Sequence, residues 1–191
     1  MQNELKFRKL RADEIECRVG IAKEKGCSLL LYKDARCDMN ILDESGVKWQ
    51  RHHSRDNANC IVSIWDESLK QWIEREDVGT KSNTEEEKGL ASDSFKRACV
   101  NFGIGRELYT APFIWVPSTK YENITRNGKY YPNANFKVAK IGYEDNGNIG
   151  ALQIINTSEN NEVVFSYLSP AMSEKIQKSK KEQIIQANQK S

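Results

Sequence analysis

The stretch Ser92–Tyr109, SDSFKRACVNFGIGRELY, organises the reading of the whole chain. At about 100° per residue, Ala91, Phe95, Ala98, Cys99 and Phe102 collect on one stripe, whereas Asp93, Lys96 and Arg97 fall outside it. Such a helix packs by one face and offers cations from another. Just upstream, Thr84-Glu-Glu-Glu87 reads as a capping box that sets three acids on the positive end of the helix dipole. Downstream, Gly103-Ile-Gly105 ends the helix and lets Arg106 approach from a turn. Lys and Arg held on a packed helix can meet phosphates without forfeiting the freedom that a loose tail would lose. A lone Lys-Arg pair more often only solubilises an exposed face.

Before this helix the pattern is β-rich. Residues 12–19 read as a short helix in which Ile15 and Val19 share a face four positions apart. After Gly26 the run Cys27–Tyr32 is a compact apolar strand, and Asp34 is placed to cap a helix over 35–45 with Met39 and Leu42 inward. Val47 to His53 alternates as a strand does, with Val47, Trp49, Arg51 and His53 on one side. Asn59–Trp65 and Lys70–Asp77 complete three consecutive antiparallel strands. After the helix, Phe113–Val116 is a short strand between prolines, and 118–134 reads as an irregular polar loop. Runs at 136–143, 149–156 and 162–168 suggest a β-meander or an extension of the first sheet. From Pro170 the composition turns polar, with five Lys and two acids between Glu174 and Ser191, as in a solvated or partly helical tail.

The fold class that follows is α+β: an antiparallel β-β-β-α core packed on a long helix, with a C-terminal β-meander and a polar tail. The domain reading is a core over 1–117, a β-rich extension over 118–169 and a basic, flexible tail over 170–191. With 29 Lys plus Arg against 27 Asp plus Glu the net charge is only +2, so any basic surface is local. Five cysteines, odd in number and without a Cys-x-x-Cys pair, argue against a disulfide framework and a zinc site and for reduced thiols in a cytoplasm. Met1 to Leu10 lacks the apolar run of a secretory signal or membrane span.

At the level of residues and motifs, SDSFKRACVNFGIGRELY resembles the helix of the Rad-fifty-two/Rad-twenty-two family of single-strand annealing proteins, in the Sak-like form carried by phages. Tyr32–Trp49, YKDARCDMNILDESGVKW, is similar to the family's Arg-bearing helix leading through an acidic turn to a strand that starts on Trp, and Glu76–Gly79 resembles its strand end. The likeness covers roughly residues 12–117. It implies ATP-independent binding of single-stranded DNA and annealing of complementary strands in recombination or phage DNA repair. It also implies a homo-oligomeric ring or filament, no catalysis, no cofactor and no membrane, in the bacterial cytoplasm if the chain is phage-encoded. A single-strand-binding protein or an exonuclease is a candidate further partner.

Carried over by position, the basic groove falls to Arg36, Lys96 and Arg97. The sequence departs from the family's pattern at Val100, where a third cation is expected, and at Val47, where some members have an aromatic; Arg106 could substitute for the missing cation. Lys70 and Lys81 are nearest to a second DNA-contacting set. Arg51 could add a phosphate contact or pair with a neighbouring acid. The alternative function is a general single-stranded DNA or RNA binding module without annealing. The four tryptophans, Trp49, Trp65, Trp72 and Trp115, could stack bases but more often belong to a core or an interface. A metal-dependent nuclease built on Asp66 or Asp77 with Glu86-Glu-Lys88 fits poorly, because helix capping explains those acids.

Overall fold

The computed structural model describes residues 5–54, 56–80 and 86–188. The chain divides into two units, Met1–Leu10 with Lys33–Arg106 and Arg11–Tyr32 with Glu107–Ser191, so the 1–117 span contributes to both.

In the first unit Asp34 opens helix α1 (Ala35–Glu44) by accepting the Cys37 N–H at 2.8 Å, as the sequence predicts for an N-cap. Its inner stripe is Cys37, Asp38, Ile41 and Leu42, with Leu42 inward as expected and Met39 only half-buried. Strands β3 (Trp49–His53), β4 (Asn59–Asp66) and β5 (Gln71–Val78) form an antiparallel sheet in that order. The strands that precede them, β1 (Glu16–Lys23) and β2 (Gly26–Tyr32), belong to the second unit. On β4, Cys60, Val62 and Ile64 are completely buried on one face. Trp49, Arg51 and His53 stand beside them from β3, and Ile73, Arg75 and Asp77 from β5.

Helix α2 (Glu86–Asn101) packs against β4 and β5. Phe95, Ala98 and Cys99 of the predicted stripe are buried, while Ala91 and Phe102 are half-buried, and Leu90 and Ser94 join the covered face. The capping box at Thr84 lies outside the described residues. The helix ends as read, with Gly103 at φ +96° and Gly105 at φ +70°.

The second unit contains two departures from the sequence reading. Residues 12–19 are not a helix: Ala12–Glu14 make one 3-10 turn, and Glu16–Lys23 is strand β1. Its ECRVGIAK holds Val, Ile and Gly, all weak in helices, and pairing with β2 (Gly26–Tyr32) across a tight turn overrides the four-residue spacing of Ile15 and Val19. Nor is 118–134 an irregular loop. After β6 (Ile114–Pro117) and a 3-10 turn, β7 (Glu122–Arg126) and β8 (Lys129–Asn133) form a hairpin. Asn127 and Gly128 take φ of 50° and 70° at its tip, the conformation that an Asn-Gly hairpin turn demands.

Strands β9 (Phe136–Tyr143), β10 (Ile149–Asn156) and β11 (Glu162–Leu168) are the predicted meander. They extend β1 and β2 rather than the β3–β4–β5 sheet, in the order β11-β10-β9-β1-β2-β6. The two edge strands, β11 and β6, approach each other, so the antiparallel six-stranded sheet is nearly closed and barrel-like. Pro170–Asn188 is helix α3, with residues 174–182 exposed. The architecture is thus mixed α+β, with three helices among the described residues, the six-stranded sheet and two smaller antiparallel sheets. Among the described residues no helix is long and apolar enough to cross a membrane.

The two glycines after α2 separate backbone strain from packing. A Cβ on Gly103 would meet nothing within 4 Å, whereas one on Gly105 would come within 2.2 Å of the Lys33 side chain. Gly103→Ala is therefore expected to cost about 1–2 kcal/mol, the left-handed penalty alone. Gly105→Ala should cost clearly more, read as the difference in urea midpoints.

Candidate nucleic-acid interface

Lys96 and Arg97 are adjacent on α2 and so point about 100° apart. Lys96 lies 3.8 Å from Asp93, and its side chain is 20% exposed. Arg97 turns toward β5: its Nε donates to Asp77 Oδ1 at 3.1 Å, and its side chain is 43% exposed. Asn101, one turn on, donates from Nδ2 to Asp77 Oδ2 and to the Glu76 carbonyl. Arg106 then folds back over the helix end, donating to the Val100 carbonyl from Nε and Nη2 and to the Asn101 carbonyl from Nη2. The Val100 carbonyl also accepts the Gly103 N–H at 2.9 Å, and a cation at a helix C-terminus meets the negative end of the dipole. Arg97 and Arg106 are thereby joined through Asp77 and Asn101 into one polar chain along the second half of α2.

Arg75 belongs to the same neighbourhood and was missed by sequence reasoning. It shares a β5 face with Ile73 and Asp77, and its guanidinium lies 5.5 Å from the Phe102 ring centroid. The signal was available: period-two alternation along 71–78 puts Arg75 on the helix side of the sheet. Arg51 mirrors it on β3, since both are in register with Val62. Its guanidinium sits 4.7 Å from the Phe95 centroid, with Met39 Sδ 4.0 Å from Nη1, so it takes a ring and a sulfur rather than an acid as its partners.

Neither Arg36 nor Lys70 joins this chain of hydrogen bonds. Arg36 stands at the start of α1, 84% exposed, its Nε 3.2 Å from Asp34. Lys70 occupies the β4–β5 turn at φ +52°, paired with Glu67 at 2.9 Å. A strand of this length puts it about 20 Å from Asp77. Lys81 lies outside the described residues.

Beneath the helices is a buried ion pair. Lys33 Nζ, on a residue 5% exposed, donates to Oδ1 of fully buried Asp38, whose Oδ2 has no hydrogen-bond partner among the described residues. Burial raises the Asp38 carboxyl from 3.8 to about 6; Lys33 and Lys96 oppose the rise, and Asp34 adds to it. Nearby, burial pushes the Cys60 thiol up to about 11 and the Cys99 thiol higher still. All five cysteines are free, and four are buried. The His53 imidazole is held below its ordinary range by burial and by Arg51 and His52. Among the described residues no group of three or more His, Cys, Asp or Glu is placed to hold a metal ion.

No family model, curated protein or solved structure matches this chain.

Asp38 makes stability depend on pH in a defined direction. The folded chain keeps its proton up to about pH 6, whereas an unfolded Asp releases it near 3.8. The native state therefore binds more protons between these values, and its stability falls as pH rises from about 4 to about 6 and levels above. Asp38→Asn should remove this slope. Urea midpoints at intervals across the window test it: a constant difference between wild type and variant would refute the assignment.

Proposed function

We propose that the chain binds single-stranded DNA through its phosphates and anneals complementary strands without nucleotide hydrolysis, acting as a homo-oligomer. The observation that carries the reading is the polar chain from Arg97 through Asp77 and Asn101 to Arg106, fixed on a helix whose opposite side is buried. Guanidiniums held in this way are pre-organised for phosphate oxygens. The likeness of SDSFKRACVNFGIGRELY and of the α1 segment to the Rad-fifty-two/Rad-twenty-two family supports annealing in particular. A strand gripped by its backbone keeps its base edges available, and pairing with a complement is downhill, so no catalytic group is required.

The ion pairs do not oppose this reading. The Arg36–Asp34 pair is exposed and contributes only about 0–1 kcal/mol, so phosphate can displace Asp34, whereas half-buried Asp77 keeps its bond to Arg97 and phosphate shares that guanidinium. Exposure ranks the contributions, with Arg36 and Arg97 above Lys96 and with Lys70 set apart.

Fluorescence anisotropy of a labelled oligonucleotide across a salt series tests the binding. Wild type should weaken with salt, each phosphate contact adding about 0.7 to the log–log slope. Arg97→Ala should weaken binding more than Lys96→Ala, and the double variant should lose about 1–1.5 of the slope. Equal binding by the folded double variant would remove these residues from the interface. Mixing complementary strands without ATP tests annealing; binding without acceleration would leave a single-stranded DNA or RNA binding module.

A further inference from the structure

The outer face of the six-stranded sheet carries an aromatic group that the proposed function does not use. Along β6 the inward residues are buried, with Ile114 at 2% and Val116 at 0%, and on β2 the inward residues Cys27 and Leu29 are at 0% and 3%. The alternate positions face out, where an antiparallel sheet is ordinarily polar. Here they are Phe113 and Trp115 on and beside β6, and Leu30 and Tyr32 on β2, with Ser28 in register with Trp115. Phe113 is 77% exposed and Leu30 49%.

The rings are arranged as planes. Phe113 and Trp115, two residues apart, lie 19° from parallel with centroids 6.4 Å apart. Trp115 rests on Gly26, where a Cβ would come within 2.8 Å of the indole. At the far end Arg18, in register with Leu30, lies 4.6 Å from the Tyr32 centroid. Exposed Lys23 and Lys25 flank Gly26 in the β1–β2 turn, with Glu24 between them, and Glu16 stands 3.4 Å from Arg18.

A second protein surface is a poor match. Of the four large side chains on this face only Phe113 and Leu30 are exposed, against the roughly 20–30 residues that each side of a stable complex contributes. Flat aromatic and guanidinium faces with cations at both ends match a single strand instead, whose bases stack on such planes while its phosphates meet the cations.

We propose that Phe113 and Trp115 form a stacking site for unpaired bases of single-stranded DNA, with Arg18 and Tyr32 extending it. The inference rests on the single-strand binding proposed above and adds a contact to bases in the second unit, separate from the phosphate contacts of the first.

The test compares a labelled oligo-dT with an abasic oligonucleotide of equal length at one salt concentration. Phe113→Ala should weaken oligo-dT binding about fivefold or more and leave abasic binding unchanged, and Phe113→Tyr should restore it. The exposure of Phe113 makes loss of folding no confounder, which circular dichroism checks. Unchanged oligo-dT binding, or an equal loss on both oligonucleotides, overturns the stacking site alone. If the wild type binds neither oligonucleotide, both the stacking site and the proposed function fall.

Discussion

Lys33 and Asp38 face each other buried in the interior, and the geometry of the first unit depends on that pair. Taking two charges out of water costs several kcal/mol each, recovered only where the partners are held in good geometry. Here the recovery is incomplete, because one carboxylate oxygen has no hydrogen-bond partner among the described residues and the carboxyl is driven up to about 6. What the pair supplies is register. Lys33 reaches Asp38 on α1 by running across Gly105 in the turn after α2, so both helices and that turn must sit in one arrangement for the charges to meet. Arg36, Lys96, Arg97 and Arg106 lie on those same elements, and their spacing is inherited from it.

Arginine serves two purposes in this unit. Arg51 and Arg75 flank the buried row of β4 and lie against Phe95 and Phe102, so their guanidiniums help dock α2 on the sheet. Arg97 and Arg106 instead lie along the second half of α2 and are linked indirectly, Arg97 to Asp77, Asp77 to the Asn101 amide and the Asn101 carbonyl to Arg106. A net charge of +2 over 191 residues is compatible with a local basic surface of this kind. The half-buried acids Asp77 and Asp93 hold Arg97 and Lys96 in place.

Local chemistry was legible in the sequence. The Asp34 cap, the α2 stripe, the glycine stop, the alternation of β3 to β5 and the runs of the final meander each depend on neighbours a few residues away, and each is found where the pattern puts it. The Asn127-Gly128 turn is legible as well, but its short flanks, Glu122–Arg126 and Lys129–Asn133, carry only one aliphatic residue, Ile124, opposite Tyr131, and their mostly polar composition reads as loop. Arg75 was likewise visible in the β5 alternation.

The sequence by itself determined the α+β class, the helix that carries Lys96 and Arg97, and the capping and turn residues, since these follow from backbone preference and side-chain periodicity. Only the tertiary structure decided that residues 16–23 pair with β2 as a strand, because an i, i+4 spacing such as Ile15/Val19 suits a helix until a distant strand offers its hydrogen bonds. It alone decided that Lys33 and Asp38 are buried together, that Lys96 is mostly covered while Arg97 is half exposed, and that exposed Phe113 stands near parallel to Trp115. Burial and charge pairing are properties of the space between elements, and no local run of residues specifies that space.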